Sequence, residues 1–275
     1  MKKKVDAFSS SQSSLLKQSV YANDGFIDLT WNHMIRTIFF LFFFLLVISN
    51  KTYSQDNSTQ NPPATFSLMI NQDNAFGFYP QVVGSFPINN KLSFSFYSIF
   101  WSNASFGTPD FGTDLWTEMG IGLSFSALKG KMILNPSIGF THGKLLSGGD
   151  QGVPFDGIAP NIVGLIFSGN FEAEIFASYY KALRKEGPET FDYFLYWAYP
   201  GVILSDYVSV GAHYEGFALT RATSGPSDML YHWLGAYVKF NINDAYTLRF
   251  STGTNMKEGD YGDGFYKLTM FASLH

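Results

Sequence analysis

Residues 117–127, TEMGIGLSFSA, alternate between apolar and small or polar side chains at nearly every step. The apolar face carries Met119, Ile121, Leu123, Phe125 and Ala127, and the other face carries Glu118, Gly120, Gly122, Ser124 and Ser126. Because successive side chains of a β-strand point to opposite sides, this pattern predicts a strand that is apolar on one face. Similar segments recur along the chain, which is typical of a membrane β-barrel with apolar residues toward lipid and polar ones toward the lumen.

The composition favours such a barrel and argues against other classes. The mean hydropathy of +0.01 is too low for a bundle of membrane helices, yet aromatic residues make up 18% of the chain. A barrel wall places hydrophobic residues at every second position, which reconciles the two values. The net charge of −4 and the scattered basic residues argue against a nucleic-acid partner. The absence of cysteine excludes disulfides, thiolate metal sites and a lipoprotein anchor.

Residues 38–48, IFFLFFFLLVI, form the one long apolar run. A membrane-spanning helix takes about 17–25 residues, so this run matches the core of a signal peptide better, with Arg36 before it. Small residues at positions 52 and 54 predict cleavage between Ser54 and Gln55. An uncleaved interfacial anchor is the alternative. The expected organisation is an upstream extension (1–33), a signal peptide starting at Met34 (34–54), a periplasmic lead-in (55–63) and a β-barrel (64–275).

About twelve strands are predicted in the barrel region. Their ranges are 64–70, 77–86, 91–101, 117–127, 132–142, 158–167, 171–181, 191–203, 207–217, 230–240, 245–254 and 265–274. Short connections alternate with longer ones, as periplasmic turns and extracellular loops do in outer-membrane barrels. The sequence therefore predicts an all-β fold, a transmembrane antiparallel up-and-down β-barrel of about twelve strands with short periplasmic turns and longer extracellular loops. Ten strands are the alternative, if residues 64–86 form a lead-in hairpin.

The strand faces opposite the apolar ones carry charged and aromatic residues. A lipid-facing Arg or Lys at mid-bilayer costs about 2–4 kcal/mol, so we expect these side chains inside the barrel. The predicted lumen-lining residues are Glu118, Glu172, Glu174, His213, Glu215, Tyr231, Trp233, Tyr237, Lys239, Arg249 and Lys267. Such a set either lines a pore for a small polar solute or pairs across a narrow lumen and fills it.

His213 and Glu215 are two residues apart on one strand face and form the candidate catalytic pair. Some outer-membrane lipid hydrolases combine a histidine and a carboxylate with a serine nucleophile. Ser209 lies about 13 Å from His213 along a strand, which is beyond hydrogen-bond reach. We therefore expect a hydrogen-bonded pair in the lumen and no catalytic residue. No histidine or acidic spacing indicates a metal site, and no cofactor is expected.

Aromatic residues and prolines near strand ends give two further expectations. Tyr and Trp are common at membrane interfaces, so interfacial girdles are expected from Tyr97, Trp101, Trp116, Trp197, Tyr199 and Tyr207. Pro80, Pro136, Pro160 and Pro200 fall inside predicted strands, although proline lacks the N–H that a ladder needs. Bulges or shifted strand ends would accommodate them.

Several short runs combine aromatic residues or glycine near predicted strand ends. They are residues 76–80 (FGFYP), 100–101 (FW), 105–107 (SFG), 114–118 (DLWTE) and 145–149 (LLSGG). These runs resemble an uncharacterised family of bacterial outer-membrane β-barrel proteins of unknown function, from about Phe66 to the C-terminus. The end of the signal peptide, Tyr53-Ser54-Gln55, resembles those of Bacteroidota. The resemblance implies an outer-membrane barrel and brings no activity or site residues.

The leading hypothesis is a Sec-exported outer-membrane β-barrel that acts as a small pore or uptake channel for a polar solute. The alternatives are a closed barrel with ligand- or partner-binding extracellular loops, a lipid-modifying enzyme built around His213, and a soluble periplasmic β-barrel or sandwich. The expected partners are outer-membrane lipid, the barrel-assembly machinery during insertion and a small polar solute.

Overall fold

The computed structural model describes residues 64–101, 116–257 and 262–274, which form a closed antiparallel β-barrel. Its strands are β1 (Thr65–Asp73), β2 (Gly77–Asn89), β3 (Leu92–Trp101), β4 (Trp116–Ala127), β5 (Met132–Gly143), β6 (Val153–Ser168), β7 (Phe171–Ala182), β8 (Phe191–Ser205), β9 (Val208–Ala222), β10 (Asp228–Asn241), β11 (Tyr246–Asn255) and β12 (Gly264–Leu274). Each strand pairs with its sequence neighbours, and β1 pairs with β12 to close the wall. The predicted twelve-stranded barrel is confirmed. The ten-strand alternative is wrong, because β1 and β2 belong to the wall.

The strand bounds differ from the predicted ones mainly near the loops. β6 begins at Val153 instead of residue 158, and β9 ends at Ala222 instead of residue 217. The predicted upstream extension, signal peptide and lead-in fall on residues 1–63, outside the described residues. Among the described residues, no helix is long and apolar enough to cross a membrane.

The alternation of residues 117–127 is reproduced by the two faces of β4. Met119 and Ile121 are 49% and 43% exposed on the outer face, whereas Glu118 is buried on the inner face. Exposed apolar side chains continue around the outer wall and include Phe66, Phe78, Phe94, Phe171, Ile175, Val202, Leu234, Phe250 and Leu268. An outward apolar band of this kind is the surface that a membrane barrel presents to lipid.

The two ends of the barrel differ in the length of their connections. One end, here named the short-turn end, carries the connections 90–91, 128–131, 169–170, 206–207 and 242–245 together with Thr65 and Leu274. The opposite end, the loop end, carries the connections 144–152, 183–190 and 223–227, and also the three-residue β1–β2 connection, 74–76. The short-turn end corresponds to the predicted periplasmic side.

The four prolines that the sequence placed inside predicted strands lie on the outer face, and the strands continue through them. Pro160 pairs with Ile138 of β5, but the β6–β7 ladder is interrupted beside it. Pro200 pairs with Ala173 of β7, and the β8–β9 ladder is interrupted in the same way. Each proline therefore costs pairing on one side of its strand, since it has no N–H to donate.

Candidate functional site

The inner face of the barrel encloses a cavity of about 460 Å³ in the half nearest the short turns. Side chains near its rim, such as Ser124 and Ile133, are partly exposed. In contrast, inward-facing residues of the other half, such as Trp116 and Trp233, are buried. The cavity therefore opens toward the short-turn end, and its volume lies within the range of small-molecule sites.

One wall of the cavity is charged. Arg249 of β11 donates from Nη1 to Oε2 of Glu174 of β7 at 2.9 Å, and Lys239 of β10 forms an ion pair with Glu172 of β7. Arg249 and Lys239 are directly opposite each other in the β10–β11 ladder. The guanidinium carbon also lies 4.0 Å from the ring centre of Tyr199, a cation–π contact. Two cations therefore lie side by side on this wall, each with one carboxylate partner.

Two glycines allow these ion pairs to form across the intervening strands β8 and β9. Gly201 and Gly211 pair across the inner face of the wall. A Cβ atom at either position would overlap the side chain of Tyr237. Tyr237 therefore lies against these glycines, and its hydroxyl donates to Oε1 of Glu172 at 3.2 Å.

The opposite wall, from β2 to β6, is built mainly from apolar and neutral polar side chains. Its members in the cavity lining include Val83, Ile99, Ile133, Val163, Leu165, Ser95, Asn135, Ser137 and Asn161. Glu118 also lies here, and its carboxylate accepts from the hydroxyls of Tyr97 at 2.6 Å and Tyr180 at 3.1 Å. Gly120 and Gly139 leave the space that the Tyr97 ring occupies.

Aromatic side chains fill the loop-end half of the lumen. Their buried members, here named the aromatic plug, are Phe76, Tyr79, Trp101, Trp116, Tyr180, Tyr193, Phe217, Tyr231, Trp233 and Phe265. The ring of Phe76 lies 4.7 Å from that of Trp101 on β3 and 5.4 Å from that of Phe217 on β9. Strands β3 and β9 are on opposite sides of a twelve-stranded barrel, so these contacts bridge the lumen.

The β1–β2 connection folds into the lumen and delivers Phe76. Oδ1 of Asp73 accepts from the backbone N–H groups of Ala75 at 3.0 Å and of Phe76 at 2.7 Å. The hydroxyl of Tyr79 donates to Oδ2 of the same aspartate at 2.7 Å. All four residues are buried. The hydrogen bonds therefore hold the connection in its inward position.

The loop 144–152 also folds inward and adds Leu146 to the buried cluster. The Asp156 carboxylate accepts from the N–H groups of Leu146 at 2.9 Å and Ser147 at 2.8 Å. The carbonyl of Ser147 accepts from the N–H of Glu186 at 3.1 Å. The sequence predicts that the longer connections are extracellular loops. This connection lies at the loop end, with Leu146 inserted into the lumen.

A buried charge cluster lies beside the plug. Oε2 of Glu215 accepts from Nζ of Lys267 at 2.8 Å and from the hydroxyl of Tyr199 at 2.9 Å. Its Oε1 accepts from the hydroxyl of Tyr231 at 2.9 Å. Lys267 also lies 3.9 Å from Oδ2 of Asp73. Each buried charge thus has an opposite charge and hydrogen-bond partners, as burial of ions requires.

The structure places every predicted lumen-lining residue on the inner face of the wall, but in three zones. The cavity is lined by Glu118, Glu174, Lys239 and Arg249, and its charged wall is supported by Glu172 and Tyr237. The buried charge cluster contains His213, Glu215 and Lys267. The aromatic plug contains Tyr231 and Trp233. Alternation in the sequence indicates the face of a residue and not its depth in the barrel. Sequence reasoning missed Asp73, Phe76 and Leu146, which lie at a strand end or in loops where no period applies.

The prediction of interfacial aromatic girdles is wrong for most of its members. Those that face the lumen are Tyr97, Trp101, Trp116, Trp197 and Tyr199. Tyr207, in a short turn, is 69% exposed. The sequence did indicate that Trp116 faces inward, because alternation along β4 places it on the same face as Glu118.

His213 is enclosed by aromatic rings. Its ring centre lies 4.6 Å from those of Tyr199 and Phe265. Its Nε2 lies 3.2 Å from Oε2 of Glu215, yet neither ring nitrogen has hydrogen-bond geometry with any described residue. Within that part of the chain, no serine hydroxyl is hydrogen-bonded to His213. The same residues contain no group of three or more His, Asp or Glu side chains that could hold a metal ion.

Solved structures with similar folds include outer-membrane channels and porins. An outer membrane channel from Pseudomonas putida F1 matches with a TM-score of 0.53 and 10% identity, over 82% of this chain and 100% of that one. The NanC porin matches with a TM-score of 0.47 and 8% identity (76% and 100% covered), and the KdgM porin with 0.45 and 10% (76% and 99%). Because the sequence identity to the channel is only 10%, this similarity shows the fold alone, which is that of an outer-membrane β-barrel.

Among curated proteins, none matches the sequence significantly. A family model matches residues 34–274, which include all twelve strands of the barrel. The predicted resemblance to an uncharacterised outer-membrane barrel family is confirmed. The chain belongs to the family of unknown function DUF6733.

Proposed function

We propose that the protein is an outer-membrane channel for a small polar solute and that the described conformation is closed. The observation that carries this proposal is an accessible cavity of about 460 Å³ beneath a plug of buried aromatic rings. A barrel of about eight strands has an interior just wide enough for side chains to fill, and a larger barrel encloses more space. Here one half of the lumen is accessible and carries two cations and their carboxylate partners.

The proposed gate consists of parts that enter the lumen from connections. Phe76 lies in the β1–β2 connection and Leu146 in the loop 144–152. Withdrawal of these two connections removes the ring that joins the β3 and β9 sides. The strand ladders do not contain either residue, so the withdrawal of these two connections breaks no strand pair.

The test measures ion conductance in planar bilayers and solute flux into proteoliposomes. We expect low flux through the wild type and several-fold higher flux through Phe76→Ala, because the bridging ring is removed. Phe78→Ala is the matched control, since Phe78 is 48% exposed on the outer face of β2. It should leave the flux unchanged.

Folding of each variant is checked by heat-modifiable gel mobility, which reports an intact barrel. The channel proposal is overturned if Phe76→Ala and the double variant Phe76→Ala/Leu146→Ala both fold and conduct no more than a protein-free bilayer.

A second candidate function is a closed barrel that binds a ligand without transporting it. The plug favours this candidate as well, because its aromatic contacts join opposite sides of the wall. The two candidates differ in one expected result. If the barrel only binds a ligand, ligand binding persists and no folded plug variant shows flux.

A further inference from the structure

The two walls of the cavity differ in chemistry, and this difference restricts the solute that fits. Strands β7, β10 and β11 supply Glu174, Lys239 and Arg249. Strands β2, β5 and β6 supply apolar side chains, chiefly Val83, Ile133, Val163 and Leu165. Small-molecule sites are commonly apolar with a few polar groups that orient the ligand. A ligand for this cavity therefore needs one charged or polar end and one apolar end.

Within the cavity lining, the charged wall has more unengaged hydrogen-bond donors than unengaged acceptors. Glu174 already accepts from Arg249 and from Nε1 of Trp197, both at 2.9 Å. Glu172 accepts from Lys239 and Tyr237, and it is not part of the cavity lining. In contrast, a guanidinium has five N–H donors and an ammonium three. Among the described residues, one hydrogen bond engages Arg249 and one engages Lys239.

This surplus of donors favours an anionic group over a cationic one. The guanidinium fork matches the two oxygens of a carboxylate, and hydrogen bonds between opposite charges are stronger than neutral ones. Arg249 and Lys239 are adjacent in the β10–β11 ladder, so one carboxylate reaches both. An ammonium ligand would instead meet two carboxylates that already accept two hydrogen bonds each, Glu174 and the buried Glu118.

We propose that the cavity binds a small organic carboxylate, with its head group at Arg249 and Lys239 and its apolar body against the β2–β6 wall. The proposal rests on the channel function, because it names the class of solute that the channel takes. The cavity opens to the short-turn end, so the ligand enters from that side without moving the plug.

The experiment measures equilibrium binding of hexanoate to the barrel in nanodiscs by saturation-transfer NMR. Hexanamide and hexylamine have the same apolar body and differ in head-group charge. Hexanoate should bind at least about tenfold more tightly than either, which is the effect expected for a hydrogen bond to a charged group. Equal binding of hexylamine overturns the proposal.

Three variants locate the site. Arg249→Gln should weaken hexanoate binding at least about tenfold, and Arg249→Lys should restore part of it. Glu174→Gln should strengthen binding, because its amide no longer competes with the ligand for the guanidinium. Arg221→Gln is the control, since Arg221 is paired with Asp192 at 2.6 Å outside the cavity lining, and should bind as the wild type does.

Unchanged binding in a folded Arg249→Gln barrel overturns the proposal. A different result would contradict the channel function that this proposal rests on. Loss of hexanoate selectivity with retained flux through Phe76→Ala contradicts the ligand class alone. Selective hexanoate binding without flux in any plug variant supports the ligand class and contradicts the channel.

Discussion

At the scale of single residues, the lumen depends on charges that are buried in pairs. Glu215 and Lys267 are 1% and 7% exposed as side chains, whereas the surface pair Asp228 and Lys257 is 56% and 37% exposed. Removal of one partner of a buried pair leaves an uncompensated charge, while exposed pairs contribute little. The two pairs therefore differ sharply in their expected effect on stability.

We expect Glu215→Gln to lower the free energy of unfolding by about 3 kcal/mol, because Lys267 loses its nearest carboxylate. Asp228→Asn should leave the urea midpoint unchanged. Urea unfolding, followed by tryptophan fluorescence, measures both. Equal midpoints for the two variants would show that the buried pair does not stabilise the barrel.

The sequence predicted the face of these residues and not their partners. Alternation along β7 placed Glu172 and Glu174 inward, where the structure has them. Glu174 meets Arg249, 75 positions later in the chain, and the side-chain period of a strand carries no information about contacts across a lumen. The same limit explains why the Glu215–Lys267 pair was not predicted.

At the scale of elements, the strands were predictable and the inward folding of the loops was not. A strand in a barrel wall has a two-residue period, which fixed β4, β7 and β12 to within one residue at each end. A loop has no period, so nothing in residues 144–152 marks Leu146 as buried. Its position depends on the hydrogen bond that its N–H donates to the Asp156 carboxylate and on the hydrogen bond between Ser147 and the loop 183–190.

Two glycines in the loop 144–152 allow a matched test of this packing. Gly148 has φ +68°, and a Cβ atom there would overlap the carbonyl of Glu189. A Cβ atom at Gly152 would lie 3.6 Å from the Cα atom of Gly143, which is an ordinary contact distance. Gly148→Ala should therefore release the loop and speed tryptic cleavage after Lys144 several-fold, whereas Gly152→Ala should not. Mass spectrometry of a digestion time course measures both rates, and equal rates would contradict the packing described for this loop.

At the scale of the whole molecule, the outer surface determines the environment in which the barrel is stable. Ile121 lies at the middle of β4 and is 43% exposed on the outer face. Ser126 lies on the inner face near the short-turn end, paired with Ile133. An arginine facing lipid at mid-bilayer is strongly unfavourable, whereas an inner-face position has access to water.

Ile121→Arg should destabilise the folded barrel by about 2–4 kcal/mol, and Ser126→Arg should have no measurable effect. Equilibrium folding into lipid vesicles across a urea series measures the difference. A barrel that tolerates both substitutions equally would not be embedded in lipid at β4.

The seam between β1 and β12 differs from every other ladder of the described wall. Asn71 and Thr269 are paired across it although 198 positions separate them, whereas the other ladders join consecutive strands. Contacts so distant in the chain form slowly, because their loop-closure entropy is large. Until β12 pairs with β1, the curved sheet has two free edges, whose unpaired N–H and C=O groups can pair with another extended chain. The time that β12 takes to pair with β1 thus determines how long the free edges of the unfinished wall are available for mispairing during biogenesis.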